Sequence, residues 1–169
     1  MSDYTIDIIR TRYSLVPRTL VFIRDGDRYL LIHKKKKDSY GFGKLNGVGG
    51  HIEKGEDPYG SALREILEET GLKVDHLNLS AIIFIDTNDS PGIEVFLFGA
   101  EFAGGDLRHS DEGNLVWMTL DEIKLSSQTL EDVPFLIETC SQHVYGEKPA
   151  IIKYSYDEYG ELRIDKFKD

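Results

Sequence analysis

The segment from Gly50 to Leu72 constrains this chain more than any other stretch. Asp57 suits a helix N-cap, because its side-chain oxygen can accept a first-turn N–H, and Pro58 suits the first helical position, where no N–H is needed. Gly71 suits the residue just past the end, which commonly adopts left-handed dihedrals. A helix over Pro58–Thr70 follows. At about 100° per residue, Arg64, Glu65, Glu68 and Glu69 share one side, while Tyr59, Ala62, Leu63, Ile66, Leu67 and Thr70 share the other. The apolar side is expected to be core. On the charged side three carboxylates crowd two turns, at a cost of roughly 0.2–0.5 kcal/mol per i,i+4 pair. A solvated acidic face tolerates that cost. A hard divalent cation offers the other reading, since Mg²⁺ takes oxygen ligands.

Around this helix the pattern is mostly strand. Arg18–Arg24 and Arg28–His33 alternate about Asp25-Gly26-Asp27, a hairpin signal. Residues Lys35 to Leu45 read as a loop, and Gly47–Glu53 as a short strand of little side-chain bulk. Leu77–Ile85 and Ile93–Phe102 read as strands about a turn at Asn88 to Gly92, and Leu115–Thr119 as another. A second helix is expected over Leu130–Cys140, then a closing hairpin of Ile151–Tyr156 and Glu161–Phe167. Runs of strands interrupted by two helices describe one α+β domain over residues 1–169, with mixed strand order rather than a doubly wound sheet. Residues 1–16 form an N-terminal extension in which Thr5–Ile9 alternates enough for an extra strand, at a sheet edge or a dimer contact.

Composition narrows the partners. The formal net charge of −10 argues against long nucleic acid, which wants a basic face, but not against a small anionic substrate carried with a cation. Lys34 to Lys37, the basic run, read as a solvated loop that keeps a strand end soluble. No apolar run approaches the ~18 residues of a membrane span, and Met1 to Arg10 lacks a signal-peptide core. A lone cysteine, Cys140, cannot form an intrachain disulfide, so a cytoplasmic location is expected. Monomer and homodimer both stay open.

Gly50, five residues, Glu56, seven residues, Arg64-Glu65-Ile66, one residue, Glu68-Glu69, one residue and Gly71-Leu72 resemble the Nudix box at every defined position. The resemblance implies a mixed β-sheet flanked by helices in an α/β/α sandwich, with the box as loop-helix-loop. It implies Mg²⁺ (or Mn²⁺ as a substitute) held by the Gly49 carbonyl, Glu65, Glu68 and Glu69, and hydrolysis of a pyrophosphate bond in a nucleoside diphosphate derivative. Glu65 is the first candidate for general base. Glu112, in Ser110-Asp111-Glu112, is the second, at a place where related enzymes often carry one more metal-binding glutamate; a plain turn carboxylate is its other reading. Arg64 and Glu56 are expected to pair, fixing a carboxylate rather than reacting.

Outside the box, Leu45-Asn46-Gly47-Val48-Gly49-Gly50 resembles the approach found in the MutT-like oxidised-purine nucleoside triphosphatases, with Leu45 in place of the usual tryptophan. That likeness implies that Asn46 reads a purine edge, the alternative being an Asn that caps a tight turn. Glu131-Asp132 resembles the acidic pair that meets the base, with Thr129 in place of a stacking tryptophan; Phe42 either supplies the missing aromatic face or packs on the core. A purine nucleoside triphosphate, 8-oxo-dGTP-like included, is the expected substrate, and nucleotide-pool sanitation the expected use. ADP-ribose, dinucleoside polyphosphates and RNA 5′ ends are alternatives. A binding-only module is the alternative class, although none of the box glutamates is eroded.

Overall fold

A computed structural model describes residues 12–35, 41–87, 91–108 and 112–167. The proposed strand at Thr5–Ile9, part of the lysine run (Lys36 and Lys37), and Asp111 lie outside the described residues. The strands are β1 (Leu15–Asp25), β2 (Arg28–Lys34), β3 (Leu45–Asn46), β4 (Lys73–Ile85), β5 (Gly92–Gly104), β6 (Gly113–Thr119), β7 (Ala150–Tyr156) and β8 (Leu162–Phe167). The helices are α1 (Pro58–Thr70), α2 (Leu120–Leu125) and α3 (Val133–Gln142). The strands form one mixed sheet in the order β3-β2-β1-β5-β4-β7-β8, with β6 on β2. β1 runs parallel to β5 and β4 parallel to β7, while β1–β2, β2–β6, β4–β5 and β7–β8 are antiparallel.

Strand alternation sorts the apolar residues onto two faces. Val21, Ile23, Leu30 and Phe98 pack under α1 with its Ala62 and Ile66. Phe22, Leu31, Leu97, Ile83 and Ile152 pack on the other face, under α2 and α3 through Ile123, Val133, Leu136 and Ile137. The α+β sandwich is therefore the arrangement the strand order anticipates.

One departure from expectation positions everything that follows. Gly47–Glu53 is not a continuous strand. β1 and β2 pair only near their turn, from Ile23↔Leu30 to Asp25↔Arg28, and then part. The chain from Leu45 to His51 enters between them: Asn46 pairs with Ile32 of β2, and Val48 and His51 pair with Val21 and Arg18 of β1. Val48 and Val21 exchange backbone bonds at 2.7 and 3.1 Å, and Thr19 N–H donates to the Gly50 carbonyl at 2.9 Å. Glycine is required in this wedge. Gly49 has φ +147°, and a Cβ on it would fall on the Thr19 carbonyl.

α1 begins and ends where its capping residues place it. Asp57 accepts from the N–H groups of Tyr59 and Gly60, and Gly71 is left-handed at φ +74°. Its buried face is narrower than the wheel suggests. Ala62, Ile66 and Thr70 are buried together with Ser61 and Glu69, whereas Tyr59, Leu63 and Leu67 stay about half exposed. α3 begins at Val133 rather than Leu130, because Pro134 fits only a first helical turn. Replacing Gly49 by alanine is expected to lower stability by about 1–3 kcal/mol, the cost of a strained left-handed residue, read as a drop in urea midpoint at unchanged slope.

Candidate active site

The wedge delivers Gly49 and Gly50 to the charged side of α1. At Gly50 an added Cβ would lie 2.5 Å from Oε1 of Glu65, so the missing side chain is what lets this carboxylate sit against the loop backbone. Arg64 organises the row. Its Nε and Nη2 bind the two oxygens of Glu56 at 2.6 and 2.9 Å, the bidentate pair expected from the spacing. Its Nη1 reaches Oε1 of Glu65 at 2.8 Å and Oε2 of Glu68 at 3.1 Å, and its Nη2 also donates to the His51 carbonyl at 3.1 Å. One guanidinium thus ties three carboxylates and the loop together. Glu56 also accepts from the Glu53 N–H at 3.0 Å; with Arg64 first and that bond second, its carboxyl is held down to about 2.

Glu69 lies deeper than the other carboxylates, at 4% exposure. Its Oε1 is bound by Lys34 Nζ at 2.9 Å and its Oε2 by the Gly49 N–H at 3.0 Å. Burial pushes this carboxyl above its ordinary range, and Lys34 opposes the shift by charge and hydrogen bond. Lys34 is itself buried, so its assignment to a solvated loop was wrong. The signal was in the strand period: Leu30, Ile32 and Lys34 alternate onto the α1 face, and the adjoining lysines obscured it.

Glu112 stands immediately before β6, its carbonyl accepting from Lys35 N–H at 3.0 Å, one residue from the Gly113↔Lys34 pair. The strand ladder therefore brings it beside the lysine that holds Glu69. Among the described residues, no three His, Cys, Asp or Glu side chains converge as a ready metal cluster. The carboxylates instead face the protein's own cations, Arg64 and Lys34. Their donor chemistry, carboxylate and backbone carbonyl oxygen, is the kind a hard divalent cation takes. Glu68 is the most open of them, with its side chain 60% exposed.

The four residues proposed to meet a base gather at a neighbouring corner. β3 carries Asn46, and Leu45 bridges to Thr129, bonding Gln128 O at 2.8 Å and Leu130 N–H at 3.2 Å. This brings residues 128–132 beside the wedge. Gly41 approaches Leu130, which sets the turn bearing the half-exposed Phe42 at the same place. Asn46 Oδ1 accepts from the Gly47 N–H at 2.7 Å, the turn-capping contact, and this fixes its carboxamide. Asp132 accepts from Tyr154 Oη at 3.2 Å, and burial raises its carboxyl above the ordinary range. Glu131 is exposed. Thr129 Oγ1 is buried without a partner among the described residues.

Comparison with known proteins agrees with this fold. The family model of the NUDIX domain matches residues 15–138. The oxidized purine nucleoside triphosphate hydrolase of Mus musculus is 33% identical over 147 residues, 83% of this chain and 93% of that protein. The protein of the same description from Danio rerio is 36% identical over 116 residues, 68% of this chain and 73% of that one. Among solved structures, the mutator MutT protein of Bacillus halodurans superposes with a TM-score of 0.68 at 25% identity, covering 89% of this chain and 98% of that one. No helix among the described residues is long and apolar enough to cross a membrane.

Two outcomes follow from the ion pairs. Lys34→Met leaves Glu69 buried without its cation, and thermal unfolding should show a loss of roughly 3–5 kcal/mol, most of it recovered by adding Glu69→Gln. Glu56, depressed in the folded state, contributes stability that is present above the ordinary carboxylate pKa and lost as pH falls from about 4.5 to about 2. Urea midpoints measured across that window should fall less steeply for Glu56→Gln than for the parent chain.

Proposed function

The chain belongs to the Nudix family, and on that premise we propose that it hydrolyses a purine nucleoside triphosphate, oxidised bases included, to the monophosphate and pyrophosphate with Mg²⁺. The observation that carries the reading is the seating of Glu65 against Gly50, with Glu68 and Glu69 on the same helix face and every box position present. The Gly49 carbonyl, Glu65, Glu68, Glu69 and Glu112 would hold the metal. When bound, Mg²⁺ offsets phosphate charge and lowers the pKa of a coordinated water, and Mn²⁺ serves as a substitute.

The chain's own groups divide the remaining work. Glu65 accepts the proton of the attacking water as the new bond to phosphorus forms and the anhydride bond breaks, so that pyrophosphate leaves; Glu112 is the second candidate for that role. Arg64 and Glu56 hold Glu65 in place rather than touching the substrate. Lys34, released from Glu69, supplies a cation to a substrate that carries several negative charges. Asn46 and Asp132 present a carboxamide and a raised-pKa carboxyl to the purine edge, with Glu131 beside them and Phe42 at the mouth. The likeness to relatives named for oxidized purine substrates supports this choice of base. Clearing damaged or surplus nucleotides is the corresponding use.

Product chromatography with Mg²⁺ over dGTP, 8-oxo-dGTP, ATP, ADP-ribose and diadenosine polyphosphates tests the substrate class. Monophosphate plus pyrophosphate from a purine triphosphate is the expected result, and turnover of ADP-ribose or a dinucleotide alone would overturn the pocket assignment. Glu68→Gln should cut kcat by orders of magnitude at unchanged melting temperature. Near-normal kcat in that variant would refute the metal assignment.

A further inference from the structure

The closing hairpin leaves one edge of the sheet open. β8 pairs with β7 on one side, from Ile151↔Phe167 to Tyr156↔Leu162, and ends the strand order on the other. A strand in that position presents unpaired N–H and C=O groups to any other strand, and proteins commonly blunt such edges with proline, a bulge or charge. Leu162–Phe167 holds no proline, and its ladder with β7 runs without a register shift. Charge is the device it carries. The order of those charges decides which strand the edge admits.

Alternation divides β8 between two faces. Leu162 and Ile164 pack on the α3-side core. Lys166 is tied down on the same side: its Nζ donates to Thr139 Oγ1 at 3.2 Å and lies 5.7 Å from the centre of the Phe135 ring. Arg163, Asp165 and Phe167 are exposed on the opposite face. The Arg163 side chain is 69% exposed, and its contact with Asp157 is long, at 3.5 Å.

Self-pairing of this strand is selective. Directly opposite residues of an antiparallel pair share a face. A two-fold axis that keeps both faces continuous must then pass through a residue of β8 rather than between two. Through Arg163, Asp165 or Lys166, the axis sets a charge against its own copy. Through Leu162 or Phe167, the ends of the strand, it engages only half of β8. Through Ile164 it sets Arg163 of each copy opposite Asp165 of the other, and Leu162 opposite the stem of Lys166. Two complementary pairs form and no like charges meet. Because like charges directly opposite are destabilising, the same residues that repel other registers accept this one.

We propose that β8 is a homotypic interface: two copies of this chain join antiparallel, edge to edge, about a two-fold axis at Ile164, and their sheets become continuous. The interface is short, so association is reversible and concentration-dependent. The proposal does not rest on the reading of the box, because β5, β4 and β7 stand between β1 and this edge.

The test is sedimentation equilibrium of the full chain over a wide range of concentration. A monomer–dimer equilibrium that weakens with added salt is expected. Arg163→Asp and Asp165→Arg each turn both attractive pairs repulsive, since the two-fold axis repeats every substitution. Each should weaken the dimer about tenfold or more. Both substitutions in one chain should restore the association, and an equimolar mixture of the two single variants should form a mixed dimer. A folding defect would not produce that recovery, and thermal melts establish that each variant folds. The proposal is overturned if the parent chain stays monomeric, as it would with its own Thr5–Ile9 segment on this edge. It is equally overturned if neither single substitution weakens the dimer, or if the double variant fails to recover it.

Discussion

Main-chain pairing between Val21 and Val48 holds the rest of the site in place, and it is possible because β1 and β2 stop pairing with each other after their turn. Two strands that diverge leave a row of N–H and C=O groups that cannot stay buried and unpaired. The segment Leu45–His51 satisfies both rows at once. Its side chains are small where the backbones are close, and at Gly49 any side chain would strike Thr19. The helix that follows is then launched from a fixed point. Its direction is secured by Ile66 and Ala62 against Val21, Ile23 and Phe98.

On that frame the electrostatics are self-compensating. Four carboxylates crowd the loop and the helix, and two cations answer them: Arg64 for Glu56, Glu65 and Glu68, and Lys34 for Glu69. The division follows exposure. The planar guanidinium spans several partners at the surface, where its hydration is weakly held, and the ammonium serves the single buried carboxylate as a point charge. On the proposed reading, a metal arriving at this face would compete with cations already covalently part of the chain, and Lys34, once released, would be close enough to serve an anion.

How far the sequence disclosed this varies with the range of the interactions involved. The bounds of α1 were legible because Asp57, Pro58 and Gly71 act locally, and the Arg64–Glu56 pair was legible because box spacing encodes it. The wedge was not, since its partners lie on two other strands and Gly47–Glu53 carries almost no side-chain pattern to read. Lys34 was hidden by the lysines beside it, although strand alternation alone pointed it inward. α2 was overlooked despite Thr119 and Glu122, whose reciprocal capping bonds form a recognised helix-start signature. Half-exposed Tyr59, Leu63 and Leu67 show the opposite limit: a helical wheel assigns a side, but the width of the contact is decided by the sheet beneath.

The parallel pairing of β1 with β5 joins residues 77 positions apart, as in Arg24 with Glu101. Contacts of such long separation close large loops and form late in folding. During synthesis, β1, the box and its helix are all extruded before the strand that completes their support. The hairpin can close early, and α1 can flicker into helix by its caps, yet neither has a sheet to lie on until Gly104 has emerged. Chemistry on this protein is thus contingent on its middle third, and a nascent chain halted before β5 would expose Ile23, Leu30 and Ile66 as adhesive surface rather than as core.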